Sequence, residues 1–118
     1  MSLTPEEKAR AMRSRLAELT ARFLERTGDE VESMRASLVL LGQGDATALS
    51  EIHHLAHRAR GTGATLGLES LSERARQIEL LSAARSTGSA DDRVGLAEID
   101  RAIEAMAAEL GRLRRVSI

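Results

Sequence analysis

Three residues on one short segment have the types and spacing that group-transfer chemistry needs. His57, Arg60 and Gly61 lie within about one turn of each other in Ala56-His57-Arg58-Ala59-Arg60-Gly61. At 100° per residue the apolar positions Ala48, Leu49, Ile52, Leu55, Ala56 and Ala59 centre between Ile52 and Ala59, and His57 projects roughly 150° away. The imidazole is therefore predicted to face solvent. A glycine inside a helix costs about 1 kcal/mol against alanine, and this segment carries both Gly61 and Gly63. With no Cβ one turn beyond His57, Gly61 leaves room for another protein to reach the ring, whereas Gly63 fits a close helix crossing. Arg60 can lie beside an anion bonded to His57, and Arg58 adds a further positive charge. An exposed nucleophile, an open approach and a cationic neighbour together suit phosphoryl transfer, in which the moving group carries negative charge throughout.

Simpler readings were weighed against this one. A solitary exposed histidine is most often only a surface residue. His53 and His57 are spaced to share a metal ion, but the chain has no cysteine and no further histidine-rich segment to complete a shell, so no metal is expected. His53 is placed beside the active edge and His54 in solvent. No acidic dyad, serine or cysteine nucleophile, or phosphate-cradling loop stands in fixed spacing with His57. An enzyme with its own turnover is not expected here.

The elements that must position these residues are helical. The chain has 118 residues, one proline and one phenylalanine, with no tryptophan or tyrosine. Its apolar content is mainly Ala, Leu, Ile, Val and Met, and Arg and Glu are abundant, a composition that favours helices over strands. Met12, Leu16, Leu19 and Phe23 form one stripe, and Val31, Met34, Leu38 and Leu41 another. They predict one bent helix, or two in tandem joined at Thr27-Gly28-Asp29, over residues 4 to 41. Met12, Met34 and Met106 are assigned to the core. Asp45 is the candidate cap of a second helix over 46 to 65, which Gly67 ends. Leu68, Leu71, Ala75, Ile78 and Leu81 form a third stripe, and Thr87 to Asp92 a loop. Ile99, Ile103, Met106, Leu110 and Leu113 mark the last helix. Arg74 and Arg76 are expected to pair with Glu73 or Glu79, and Arg112, Arg114 and Arg115 to favour a helix C-terminus. The fold class is all-α: an antiparallel four-helix bundle with an additional N-terminal helical segment. It is expected to form a single domain over 1–118 with its core in about 16–113.

Charge and hydropathy narrow the partners. Seventeen basic residues balance eighteen acidic ones, for a net charge of −1, so no basic face for nucleic acid is forced on the chain. No segment is long or apolar enough for a signal peptide or a membrane span, and a cytoplasmic location is expected.

From Ala56 to Gly67 the chain resembles the signature of histidine-containing phosphotransfer (HPt) domains. In that signature the phosphorylated histidine is followed by a lysine and a glycine, and a Leu/Phe-Gly pair ends the helix, as Leu66-Gly67 does here. Leu71, Ala75, Ile78 and Glu79 resemble the family's next helix, and Phe23 with Leu38 the preceding one. Arg60 departs from the usual lysine; it keeps the charge but spreads it over a planar fork. The resemblance implies that Nε2 of His57 takes a phosphoryl group from a receiver-domain aspartate, or through a hybrid kinase, and yields it to another response regulator. It implies no cofactor on this chain, with Mg²⁺ on the partner receiver. His57, Arg60 and Gly61 would do the chemistry, and His53, Arg58 and Ala64 would meet the partner. Thr62-Gly63-Ala64-Thr65 also resembles the phosphoacceptor domain of chemotaxis-type kinases. The alternative is a helical adaptor that binds receivers or other signalling proteins through the same face without phosphorylation. A monomer is expected, and the long N-terminal helix is where a dimer would form.

Overall fold

The computed structural model describes residues 2–86 and 92–116. It contains four helices: α1 (Pro5–Gly42), α2 (Thr47–Thr65), α3 (Glu69–Ser86) and α4 (Asp92–Val116). Among the described residues there is no strand. Each helix packs against its neighbours in sequence and α4 closes the ring on α1. The all-α four-helix bundle predicted from the stripes is what forms. The predicted turn from Thr87 lies, up to Asp91, outside the described residues.

Local chemistry sets the helix ends. Thr4 opens α1 with a reciprocal capping box: its hydroxyl accepts from the Glu7 amide at 3.1 Å, and its own amide donates to the Glu7 carboxylate at 3.2 Å. Pro5 follows in the first turn, where its missing N–H costs nothing. Asp45 accepts from the backbone amide and the hydroxyl of Thr47, at 3.0 and 2.6 Å, and so holds the first residue of α2, although the cap position itself is taken by Ala46, which has no side-chain bond to offer. At the other end Gly67 takes φ +76°. Its amide donates to the Ala64 carbonyl at 3.1 Å and that of Leu68 to the Gly63 carbonyl at 2.8 Å. This is the Schellman arrangement, which needs a residue free to adopt a left-handed backbone.

Of the two arrangements open for the N-terminal region, the structure takes one continuous helix. Gly28 does not interrupt it, and the end of a long side chain lies over it. A Cβ there would lie 2.9 Å from Nη1 of Arg114, which crosses over from α4. The neighbouring Thr27 is buried and donates its hydroxyl to the Phe23 carbonyl at 2.7 Å.

The core runs from Phe23 to Leu110, with Met34, Ile52, Leu71, Ile78, Ile103 and Met106 wholly or almost wholly buried. One assignment is corrected. Met12 is 73% exposed, and Leu16 and Leu19, in the same stripe, are 49% and 41% exposed. The spacing makes an amphipathic helix but supplies no partner for it. α1 has 38 residues, about 57 Å of helix, and the last turn of α4 already lies over Gly28. The first turns of α1 therefore run past the end of the bundle.

Polar staples join the helices. Arg35 on α1 forks onto Glu104 on α4 at 2.7 and 2.8 Å. Between α3 and α4, Glu109 accepts from Ser70 at 2.6 Å and from Arg112. The Arg112 bond, then the Ser70 bond, hold the Glu109 carboxyl down at about 2. A carboxyl lowered in the folded state stabilises at neutral pH and loses that contribution as pH falls through its folded value. Wild type and Glu109→Gln should therefore differ in thermal stability at pH 7. That difference should shrink below the ordinary value of 4.5 and vanish near 2, as acid titration of the two melting curves would show.

Candidate functional site

The buried face of α2 decides what its other face presents. Ile52, Leu55, Ala56 and Ala59 point into the core, which turns His57 outward with its side chain 57% exposed. Helix α3 lies alongside. The two helices are close at Gly63, where a Cβ would stand in ordinary van der Waals contact with Ser72 at 3.5 Å, and the Ser72 hydroxyl donates to the Arg60 carbonyl at 2.8 Å. This crossing brings Glu79 of α3 beneath the imidazole.

Glu79 is the centre of the arrangement. Its side chain is only 15% exposed. One carboxylate oxygen meets Nδ1 of His57, and the other accepts from Nε of Arg60 at 2.7 Å. Burial pushes this carboxyl up, but the hydrogen bond from His57 and the positive charge of Arg60 outweigh it. The net pKa lies below the ordinary carboxylate value, so Glu79 is ionised and can only accept. Nδ1 therefore carries the proton in this contact. That assigns the lone pair of a neutral ring to Nε2, the nitrogen with no hydrogen-bond partner among the described residues. Nη2 of Arg60 lies 3.4 Å from Nδ1. As both groups are donors in this tautomer, that approach is a juxtaposition of charge and not a bond.

The other predicted positions divide into two groups. His53 is half-buried one turn before His57, their rings within 7° of parallel and 6.5 Å apart between centroids. Gly61 and Ala64 are exposed, and a Cβ at Gly61 would meet nothing within 4 Å. These residues share the open side of α2 with His57. Arg58 turns away: its Nη2 donates at 2.7 Å to Glu30 of α1, a nearly buried carboxylate that also has Arg26 3.6 Å away. Among the described residues no group of three or more His, Cys, Asp or Glu is placed to hold a metal ion.

Glu79 as partner of the imidazole is the residue that reading the sequence missed. Arg76 lies 3.5 Å from Glu73, one of the two partners expected for it. A signal was present, because Glu79 follows the buried Ile78 and so sits at the edge of the α3 stripe. Using it requires the register between α2 and α3.

The fold is thus a bundle of four helices with an outward histidine on its flank, set over a carboxylate and an arginine. The family model of the Hpt domain matches residues 18–111, and the chain belongs to that family. Hpt domains serve histidine phosphotransfer in phosphorelays; they are phosphocarriers, not enzymes, and they interact with receiver domains and histidine kinases. No curated protein and no solved structure matches the chain. Among the described residues no helix is long and apolar enough to cross a membrane.

Proposed function

We propose that His57 is the phosphoacceptor of a relay between response-regulator receiver domains, and that Glu79, Arg60 and Gly61 serve it. The observation that carries this reading is the state of the ring: Nδ1 is held by a carboxylate, Nε2 has no hydrogen-bond partner among the described residues, and the side chain is more than half exposed. In the forward step the Nε2 lone pair attacks the phosphorus of a receiver's aspartyl phosphate. The N–P bond forms as the P–O bond to the aspartate breaks, and the carboxylate leaves with its electron pair. The proton on Nδ1 stays against Glu79, which offsets the positive charge the ring acquires. Reversal toward a second receiver returns the lone pair to Nε2. Divalent cation chemistry belongs to the receiver's acidic pocket, and this chain needs no cofactor.

Arg60 is the cation nearest the ring, and its remaining N–H groups can meet the incoming phosphoryl oxygens. It supplies the charge that a lysine supplies in most of the family. His53 and Ala64 border the approach and are proposed to touch the receiver. The contact between Arg58 and Glu30 favours a role for Arg58 in joining α1 to α2.

The test is incubation with a receiver domain carrying labelled aspartyl phosphate. Transfer should give label on this chain that is labile in acid and stable in alkali, as an N–P bond is. Acid-stable label, or no label, would remove the relay and leave an adaptor that binds without chemistry. Gly61 provides a second measurement. Gly61→Ala is expected to stabilise the helix by up to about 1 kcal/mol, because the space is empty. Gly61→Leu should fold equally well yet slow transfer at least about tenfold by holding the receiver off the ring. Unchanged transfer by Gly61→Leu would dismiss the clearance role.

A further inference from the structure

The first turns of α1 carry a second surface, remote from His57. Ala9, Met12, Leu16 and Leu19 alternate steps of three and four and run directly into Phe23, the first core residue. That is the spacing of a coiled-coil seam, and its Met12, Leu16 and Leu19 are exposed beyond the end of the bundle, with Ala9 half-buried. Charge is ordered around it. Lys8, Arg15 and Arg22 recur every seven residues, which places them along one flank of the seam. Arg13 lies on the other flank, with Glu6 one heptad before it, and Glu7 and Glu18 fall on the far side of the helix. Among the described residues none of these four basic side chains is ion-paired, in contrast to Arg26, Arg35, Arg58 and Arg60 further along the chain.

We infer that this arm docks an acidic amphipathic helix of another protein, forming a two-stranded coiled coil with its Met12-Leu16-Leu19 seam. Charge decides against the other occupants. In a parallel pair of copies Lys8 would face Arg13; in an antiparallel pair the flank of Lys8, Arg15 and Arg22 would face itself. Like charges at these positions oppose pairing. The seam is only two positions wide in seven, narrower than the apolar face with which a helix lies on a lipid surface. A partner helix with leucine-type residues in its own seam and glutamate or aspartate on its flanks satisfies both features. Docking there would tether a partner to the module while leaving the face around His57 open.

The test uses the full chain and two synthetic three-heptad peptides with leucine in the seam, one flanked by glutamate and the other by lysine. The glutamate peptide is expected to bind and the lysine peptide not to. Arg15→Glu with Arg22→Glu should weaken binding of the glutamate peptide by at least about tenfold and shift preference toward the lysine peptide. Labelling of His57 should be unchanged in this variant, so failure of the arm and failure of the relay are read separately. Circular dichroism checks that the variant folds. Absence of binding to the glutamate peptide, equal binding of both peptides, sedimentation of the chain alone as a dimer, or binding to phosphatidylglycerol vesicles without binding to the peptide would each overturn the assignment.

Discussion

His57→Gln is expected to fold like the wild type and to take up no label from a phosphorylated receiver. The two halves of that result have separate physical origins. The side chain is more than half exposed and its polar contact is with Glu79 at the edge of α3, and substitutions at surface positions usually change stability by no more than about 0.5 kcal/mol. Glutamine can still donate an amide proton to Glu79, so the half-buried carboxylate keeps a partner. An amide has no nucleophilic lone pair on nitrogen, however, and no N–P bond can form. Label persisting at wild-type rate in His57→Gln, with unchanged acid lability, would move the acceptor to His53 or His54 and dissolve the proposed role of Glu79. Thermal melts of both proteins, run beside the transfer assay, separate lost chemistry from lost fold.

Glu79→Ala is expected to slow transfer about 10- to 100-fold, the range seen when the outer partner of a functional histidine is removed. Three effects combine. The ring loses the acceptor that keeps its proton on Nδ1, it loses the charge that balances the developing phosphoimidazole, and Arg60 loses its anchor at 2.7 Å. Glu79→Gln keeps an acceptor oxygen but not the charge, so it should fall between the two. The pH dependence has a definite sign. Burial raises the Glu79 carboxyl, but the His57 bond and the Arg60 charge bring it below the ordinary value of 4.5. Its contribution is thus complete above that value and is lost only as pH falls through the lowered one. The ratio of wild-type to Glu79→Ala rates should hold down to about pH 4.5 and collapse below it. Nitrogen NMR of His57 gives a readout that a purely structural role would leave unmoved: the proton should sit on Nδ1 in the wild type and redistribute in Glu79→Ala. Identical tautomer populations in the two proteins would reduce Glu79 to a helix staple.

Much of this was legible in one dimension. The stripes Val31-Met34-Leu38-Leu41 and Ile99-Ile103-Met106-Leu110-Leu113 predict buried faces; Leu38 and Leu113 pack half-buried against the core, and the others are buried. The outward direction of His57 follows from the same arithmetic, because a helix with a known buried face has a known exposed one. Gly67 and Asp45 are readable as helix ends because each acts on the backbone within three residues of itself.

What the sequence by itself determined was therefore periodic and local: helix type, helix ends, the face of each helix, and a histidine with an arginine and a glycine a turn away. Tertiary structure decided what depends on the length of one helix against another and on the register between them. The Met12-Leu16-Leu19 stripe has the same spacing as the buried stripes, yet it stands in solvent because α1 outruns its neighbours. Glu79 lies 22 residues from His57, and no local rule joins them. The crossing at Gly63 and Ser72 sets the offset of α3 on α2, and with it which carboxylate meets the ring. Periodicity is written along the chain by the geometry of a single helix, whereas register is set by how side chains of two helices interlock.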